Sequence, residues 1–146
     1  MKWIIKRFED LTPTEIYDMI KLRLEVFVGE QGCSYEDLDD RDKKAYHMFL
    51  YDRDHVIAYC RILDAGVAYE EMSIGRVCVR KDYRKQGIAK SMMLSALAFI
   101  KEQVSHPAIK ISAQSYIIPF YESVGFKVIS APYLEEGIEH VKMKWK

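Results

Sequence analysis

Gly87 and Ala89 stand where an apolar run, Val77-Cys78-Val79, gives way through the charged residues 80–86 to a long apolar-periodic segment starting at Ile88. Arg80, Lys81, Arg84, Lys85 and Lys90 surround them. The first N–H groups of a helix have no partner inside it, and the helix dipole adds partial positive charge at that end. Small side chains let an anion come close to those groups. The chemistry this arrangement suits is a cradle for pyrophosphate.

Four other side chains stand out by type and surroundings. His47 and His140 fall in predicted strands. An imidazole there can relay a proton through water, or serve as a hydrogen-bonded structural residue. Arg61 and Arg76 sit inside otherwise apolar strands, where a half-buried guanidinium needs an anion. Glu25, Glu30 or Asp39 could provide it, and so could an acidic group on a substrate. Residues 30–44 are rich in acids (Glu30, Glu36, Asp37, Asp39, Asp40, Asp42) and lack helical or strand periodicity. They read either as a solvated connection or as a loop on the substrate side.

The elements that position these residues can be read from pattern. Residues 3–8 form a first strand. Thr12-Pro13-Thr14-Glu15 announces a helix, with Thr12 as N-cap, Pro13 in the first turn and Glu15 closing a capping box. Ile16, Met19, Ile20, Leu24 and Phe27 follow at helical spacing, and this helix ends near Gly29. Residues 47–51 and 56–63 make an antiparallel hairpin. A strand over 73–80 feeds the charged turn. The long helix from Ile88 carries Met92, Ala96, Phe99 and Gln103 on one face, widened by Leu97, Ile100 and Val104, and stops at His106-Pro107. A strand over 109–113, a short helix opened by Pro119 and ended by Gly125, and strands over 126–129 and 138–143 complete the chain. The sum is an α/β (α+β) fold, a mixed sheet covered by helices.

The 146 residues, 49% of them hydrophobic, suit a single domain, 1–146, with one core. Lys+Arg and Asp+Glu both count 22, which argues against nucleic acid as the main partner. The cysteines Cys33, Cys60 and Cys78 form no CxxC pair and suggest a reducing, cytoplasmic compartment. No metal site is expected. Residues 1–10 mix charges with a short apolar run and read as neither signal peptide nor membrane span.

Arg84-x-x-Gly87-x-Ala89, between a strand and a long helix, resembles the Arg/Gln-x-x-Gly-x-Gly/Ala signature of the GNAT superfamily of N-acetyltransferases. The dinucleotide fingerprint differs, needing a third small position and a later acid. Gln114-x-x-Ile117-x-x-Phe120-Tyr121-x-x-x-Gly125-Phe126 resembles the second GNAT signature, with Gln114 where many members have Asn and Ile117 where many have Ala. Residues 22–31, Asp39-x-x-Asp42-x-x-Ala45-x-His47, Cys60-Arg61-Ile62-Leu63 and Gly137-Ile138-x-His140 are similar to the ElaA-like branch.

The resemblance implies a mostly antiparallel central sheet that splays between two central parallel strands. It implies acetyl-CoA as donor substrate and an amine as acceptor. Pantetheine would pair with the backbone of Val77, Cys78 and Val79, and Arg84, Lys85, Gln86, Gly87, Ile88, Ala89 and Lys90 would surround the pyrophosphate. Gln114 would also touch the donor. Tyr121 matches the motif tyrosine that contacts the donor and protonates the departing thiolate. Many members carry a base Glu around the positions of Gly75 and Arg76; its absence here leaves His140 and His47 as candidate bases. Arg61, Arg76 and Glu30 fall to the acceptor side. Two alternatives stay beside acetyl transfer: a non-catalytic acyl-CoA-binding module, and an acyltransferase with a longer donor. A homodimer is one arrangement the sequence allows.

Overall fold

Thr12 starts the first helix by engaging N–H groups that a helix start leaves open. Its Oγ1 accepts from the Glu15 N–H at 3.1 Å, while the Glu15 carboxylate accepts from the Thr12 N–H at 2.9 Å. The structure, a computed structural model, describes residues 2–32 and 36–146; Cys33 lies outside the described residues. Helix α1 (Pro13–Arg23) runs on through Leu24–Glu30 with wider π-type bonds, such as Gln31 N–H to the Val26 carbonyl at 3.1 Å. The expected apolar face needs correction. Met19, Leu22, Arg23, Val26 and Phe27 are buried, whereas Leu24 is 43% exposed. A pattern built on apolar residues cannot register a buried cation such as Arg23.

Strands β1 (Ile4–Arg7), β2 (Tyr46–Asp52), β3 (His55–Leu63) and β4 (Ser73–Val79) form one antiparallel sheet in that order. Helix α2 (Ile88–Gln103) follows. A second antiparallel sheet is built on β8 (Ile138–Trp145), which pairs with β5 (Ile109–Gln114), β6 (Lys127–Val128) and β7 (Tyr133–Glu135). The short β7 follows Pro132 and has no counterpart in the sequence reading. Helix α3 (Ile118–Ser123), with Pro119 in its first turn, precedes Gly125. Gly125 has φ +106°, and a Cβ there would stand 2.8 Å from Trp145 Nε1, so only glycine fits.

The two sheets join through β4 and β5, as the resemblance implies. Met72 and Ile109 form a parallel bridge, with the Met72 N–H donating to the Ala108 carbonyl at 3.2 Å and the Lys110 N–H to the Met72 carbonyl at 2.9 Å. Beyond that point the strands part, and the cleft between them positions the site.

Alternation along the strands divides the interior. Phe49, Val56, Tyr59 and Cys78 face α1, where Met19, Leu22, Val26 and Phe27 cover them. Met48, Leu50, Ile57, Cys60 and Ile62 face α2, which buries Met92, Met93, Ala96, Leu97 and Ile100. The single core expected from composition is thus two layers, one on each face of the first sheet. Each fully buried side chain of this kind stabilises the fold by roughly 1.5–3 kcal/mol. Gln103, expected on the α2 apolar face, is exposed, and Met93 takes part in its place.

Candidate active site

Two adjoining cavities open beside the splay, of about 500 Å³ and 400 Å³. Both reach Val77 of β4 and Tyr116 and Ile117 ahead of α3. The larger lies over the start of α2. Its first helical bond runs from the Ser91 N–H to the Gly87 carbonyl at 3.0 Å, so the N–H groups of Ile88, Ala89 and Lys90 precede the ladder. Gly87 has φ +79°, and a Cβ there would point into open space. Lys85, at φ +65°, and Lys90 line the same cavity. Backbone donors, the helix dipole and two cations together fit a pyrophosphate.

Arg84 is fixed into this wall. Its Nε donates to the Val79 carbonyl at 2.8 Å and its Nη2 meets Glu30 Oε1 at 2.7 Å. Glu30, expected on the acceptor side, therefore lines the larger cavity, neutralised by Arg84. Gln86 is exposed and lies outside the lining. Val77, Cys78 and Val79 all line it. Burial pushes the Cys78 thiol up and the Cys60 thiol up to about 12, so both stay protonated.

The smaller cavity has one wall from β3 and β4 and the other from β5, β7 and β8. The first wall contains a β-bulge absent from the sequence reading. Tyr59 pairs with Cys78 and Arg61 with Gly75, so Arg76 and Val77 together face Cys60. Arg76 takes φ +52° there. On the second wall, Gln114 and His140 stand opposite each other in register. Gln114 thus lines the smaller cavity, not the pyrophosphate side.

His140 and Tyr121 line this smaller cavity together. His140 Nδ1 lies 2.7 Å from the Ile138 carbonyl. A carbonyl can only accept, so Nδ1 carries a proton, and in the neutral ring the lone pair lies on Nε2. The ring stacks on Tyr133 at 6.1 Å and 27°, and the Tyr133 hydroxyl is bonded to Ser112 Oγ. Tyr121 packs edge-on against Phe120 and Phe126. Burial pushes its phenol well above the ordinary tyrosine range, so it remains a proton donor.

His47 lies elsewhere. It is fully buried and lines neither cavity. Its Nε2 donates to the Asp42 carbonyl at 2.8 Å, and its Nδ1 accepts from the Tyr59 hydroxyl at 2.7 Å. Burial pushes its pKa down, with Asp42 opposing and Arg23 and Arg61 reinforcing the shift. Of the two sequence readings, the geometry places it in the structural role.

In the acid-rich segment Asp37 and Asp42 are buried, Asp39 is half-buried, and Glu36 and Asp40 stay exposed. Asp37 meets Arg23 Nε and Arg76 Nε, both at 3.1 Å. Asp42 meets Arg23 Nη1 at 2.9 Å and Arg61 Nη1 at 3.0 Å. Asp39 meets Arg61 Nη1 at 2.7 Å and lies 3.6 Å from Arg76 Nη2. Arg61 and Arg76 thus find protein carboxylates, Asp39 among them as expected. Glu25 and Glu30 take no part, and Asp37 and Asp42 supply the rest. The sequence does not reveal Arg23, Asp37, Asp42 and Tyr59 as a cluster, although Arg23 and Asp42 fall within the stretches similar to the ElaA-like branch.

A family model for the acetyltransferase (GNAT) domain matches residues 9–146. A UPF0039 protein of Schizosaccharomyces pombe is 39% identical over 146 residues, covering 99% of this chain and 96% of its own. The crystal structure of an acyl-CoA N-acyltransferase from Pseudomonas aeruginosa superposes with a TM-score of 0.94 at 31% identity, covering 100% of both chains. Escherichia coli ElaA is 30% identical over 145 residues, 98% of this chain and 95% of that protein, and its crystal structure gives a TM-score of 0.93. The chain belongs to the GNAT acetyltransferase family, in its ElaA-like branch, and is an acyltransferase enzyme. Acyl-CoA donors are what this family's fold uses.

Proposed function

We propose that the protein moves an acetyl group from acetyl-CoA to a primary amine of a small molecule or peptide. What carries this reading is the meeting of two cavities, an anion cradle on one side and His140 with Tyr121 on the other. The N–H groups of Ile88, Ala89 and Lys90, with Lys85, hold the donor's pyrophosphate, and the β4 edge at Val77 receives its pantetheine arm as an added strand. The donor supplies an activated acyl thioester. His140 Nε2 takes the proton of the attacking amine, directly or through a water. As the C–N bond forms and the C–S bond breaks, Tyr121 gives its proton to the departing sulfur. Buried, unpaired Cys60 and Cys78 suit a reducing, cytoplasmic setting.

The test is thiol release from acetyl-CoA against polyamines, amino acids, amino sugars and peptides, with donor binding measured separately. Amine-dependent release is expected. Tight donor binding without release for any amine would overturn the reading, and faster release with longer acyl donors would replace its acetyl part.

A further inference from the structure

The charges lining the smaller cavity do not cancel evenly. Arg61 and Arg76 both reach it, but their guanidinium groups are held by Asp37, Asp39 and Asp42. With Arg23, this cluster sets three guanidinium groups against three carboxylates. Among the described residues, two charged groups at the cavity remain outside that balance. Arg41 lines it beside Arg61, and its side chain meets no carboxylate among the described residues. Glu135 lines the opposite wall with His140, where it accepts from Ser112 Oγ at 3.2 Å.

Arg61 adds no reachable donor to this wall: it is 3% exposed, both of its Nη groups are taken by Asp39 and Asp42, and its Nε, without an acceptor among the described residues, is shut off from water. The cavity thus carries a spare positive group on the β3 side, and a carboxylate with the accepting histidine on the β8 side.

We propose that the acceptor is an amine that also carries a carboxylate, bound with its carboxylate toward Arg41 and its amine toward Glu135 and His140. This rests on the acetyl-transfer reading and narrows its substrate class to aminocarboxylates. Glu135 attracts the ammonium form, and His140 Nε2 receives the proton that must leave before attack. A polyamine would set a second cation against Arg41, and a simple alkylamine would leave Arg41 without an anionic partner.

Matched pairs that differ only in the carboxylate provide the test: lysine against cadaverine, ornithine against putrescine, serine against ethanolamine, and a dipeptide against its C-terminal amide. A phosphoethanolamine arm separates carboxylate from phosphate. The carboxylated member of at least one pair is expected to show kcat/KM higher by about 10- to 100-fold, through KM. Arg41→Gln is expected to shrink that ratio about fivefold or more at unchanged melting temperature and acetyl-CoA affinity, and Arg41→Lys to restore part of it. Equal or better turnover of the decarboxylated partners, preference for phosphoethanolamine, or a ratio indifferent to Arg41 overturns the proposal while acetyl transfer stands. If no carboxylated amine reacts or raises the melting temperature of the acetyl-CoA-loaded protein, the proposal also falls. Absence of thiol release with every amine removes the acetyl-transfer reading itself.

Discussion

Arg23 Nη1 stands 2.9 Å from Asp42 Oδ1, and the Arg23 side chain is wholly shut off from water. α1 is thereby pinned to residues 40–44. Asp37 still faces Arg23 and Arg61 still faces Asp42, but removing either member leaves the buried cluster with one charge too many, which costs about 3–5 kcal/mol. Arg23→Ala or Asp42→Ala is expected to lower stability by that amount in urea unfolding.

The same cluster sets an acid response in two stages. His47 has its folded pKa pushed down, so its contribution is present above the ordinary histidine value of about 6.5 and is lost as pH falls through the folded one. Burial would push Asp42 up, but Arg23 and Arg61 outweigh it and hold the carboxyl below the usual range. Its contribution is complete above about 3.9 and is lost as pH falls further. Unfolding midpoints against pH are expected to show both declines. His47→Gln flattens the upper one and Asp42→Asn the lower; unchanged profiles would refute the assignment.

Gly87 separates two requirements, a left-handed backbone and room for an anion. Asn tolerates φ > 0 better than other residues with a side chain. Gly87→Asn is expected to retain most of the thermal shift produced by acetyl-CoA. Gly87→Glu, which puts a carboxylate into the cradle, abolishes it. Intact donor binding in a folded Gly87→Glu protein would remove the cradle from the mechanism.

Tyr121→Phe keeps the ring packed between Phe120 and Phe126 and deletes only the hydroxyl. A thiolate already leaves fairly well, so kcat is expected to fall roughly 10- to 1000-fold with donor affinity nearly unchanged. Turnover within about twofold of wild type would place the leaving-group proton elsewhere.

The two histidines are expected to separate cleanly. His140→Ala lowers kcat/KM by about 10²- to 10⁴-fold with partial rescue by added imidazole. His47→Ala chiefly lowers stability, by about 1–3 kcal/mol for the hydrogen bonds it leaves unmade to Tyr59 and Asp42. Imidazole rescue of His47→Ala would reverse the assignment.

The sequence made the scaffold legible wherever one period dominates. The β2–β3 hairpin, α2 and the Thr12 capping box each rest on residues close in the chain, and the cradle at Gly87 needs only a strand, a turn and a helix start. What escaped is non-local. Arg23 is buried because Asp37 and Asp42 return to it from another segment, and the same pairing draws those two acids inward out of an otherwise exposed stretch. The bulge at Arg76 is a count of residues against β3, which β4 alone does not carry. Gln114 and Glu30 were placed by motif position, and only the register with His140 and the reach of Arg84 reveal which cavity each lines.

The parting of β4 from β5 leaves strand edges inside the molecule without the cover that a sheet normally gives them. An uncovered edge accepts any extended chain of suitable register, whether a ligand's amide arm or a neighbouring copy of the protein. Past the Met72–Ile109 bridge, the open groove is therefore also a place that invites pairing between copies. A bound donor protects the fold from its own neighbours as well as supplying the reaction, so concentrated preparations will keep best with donor present.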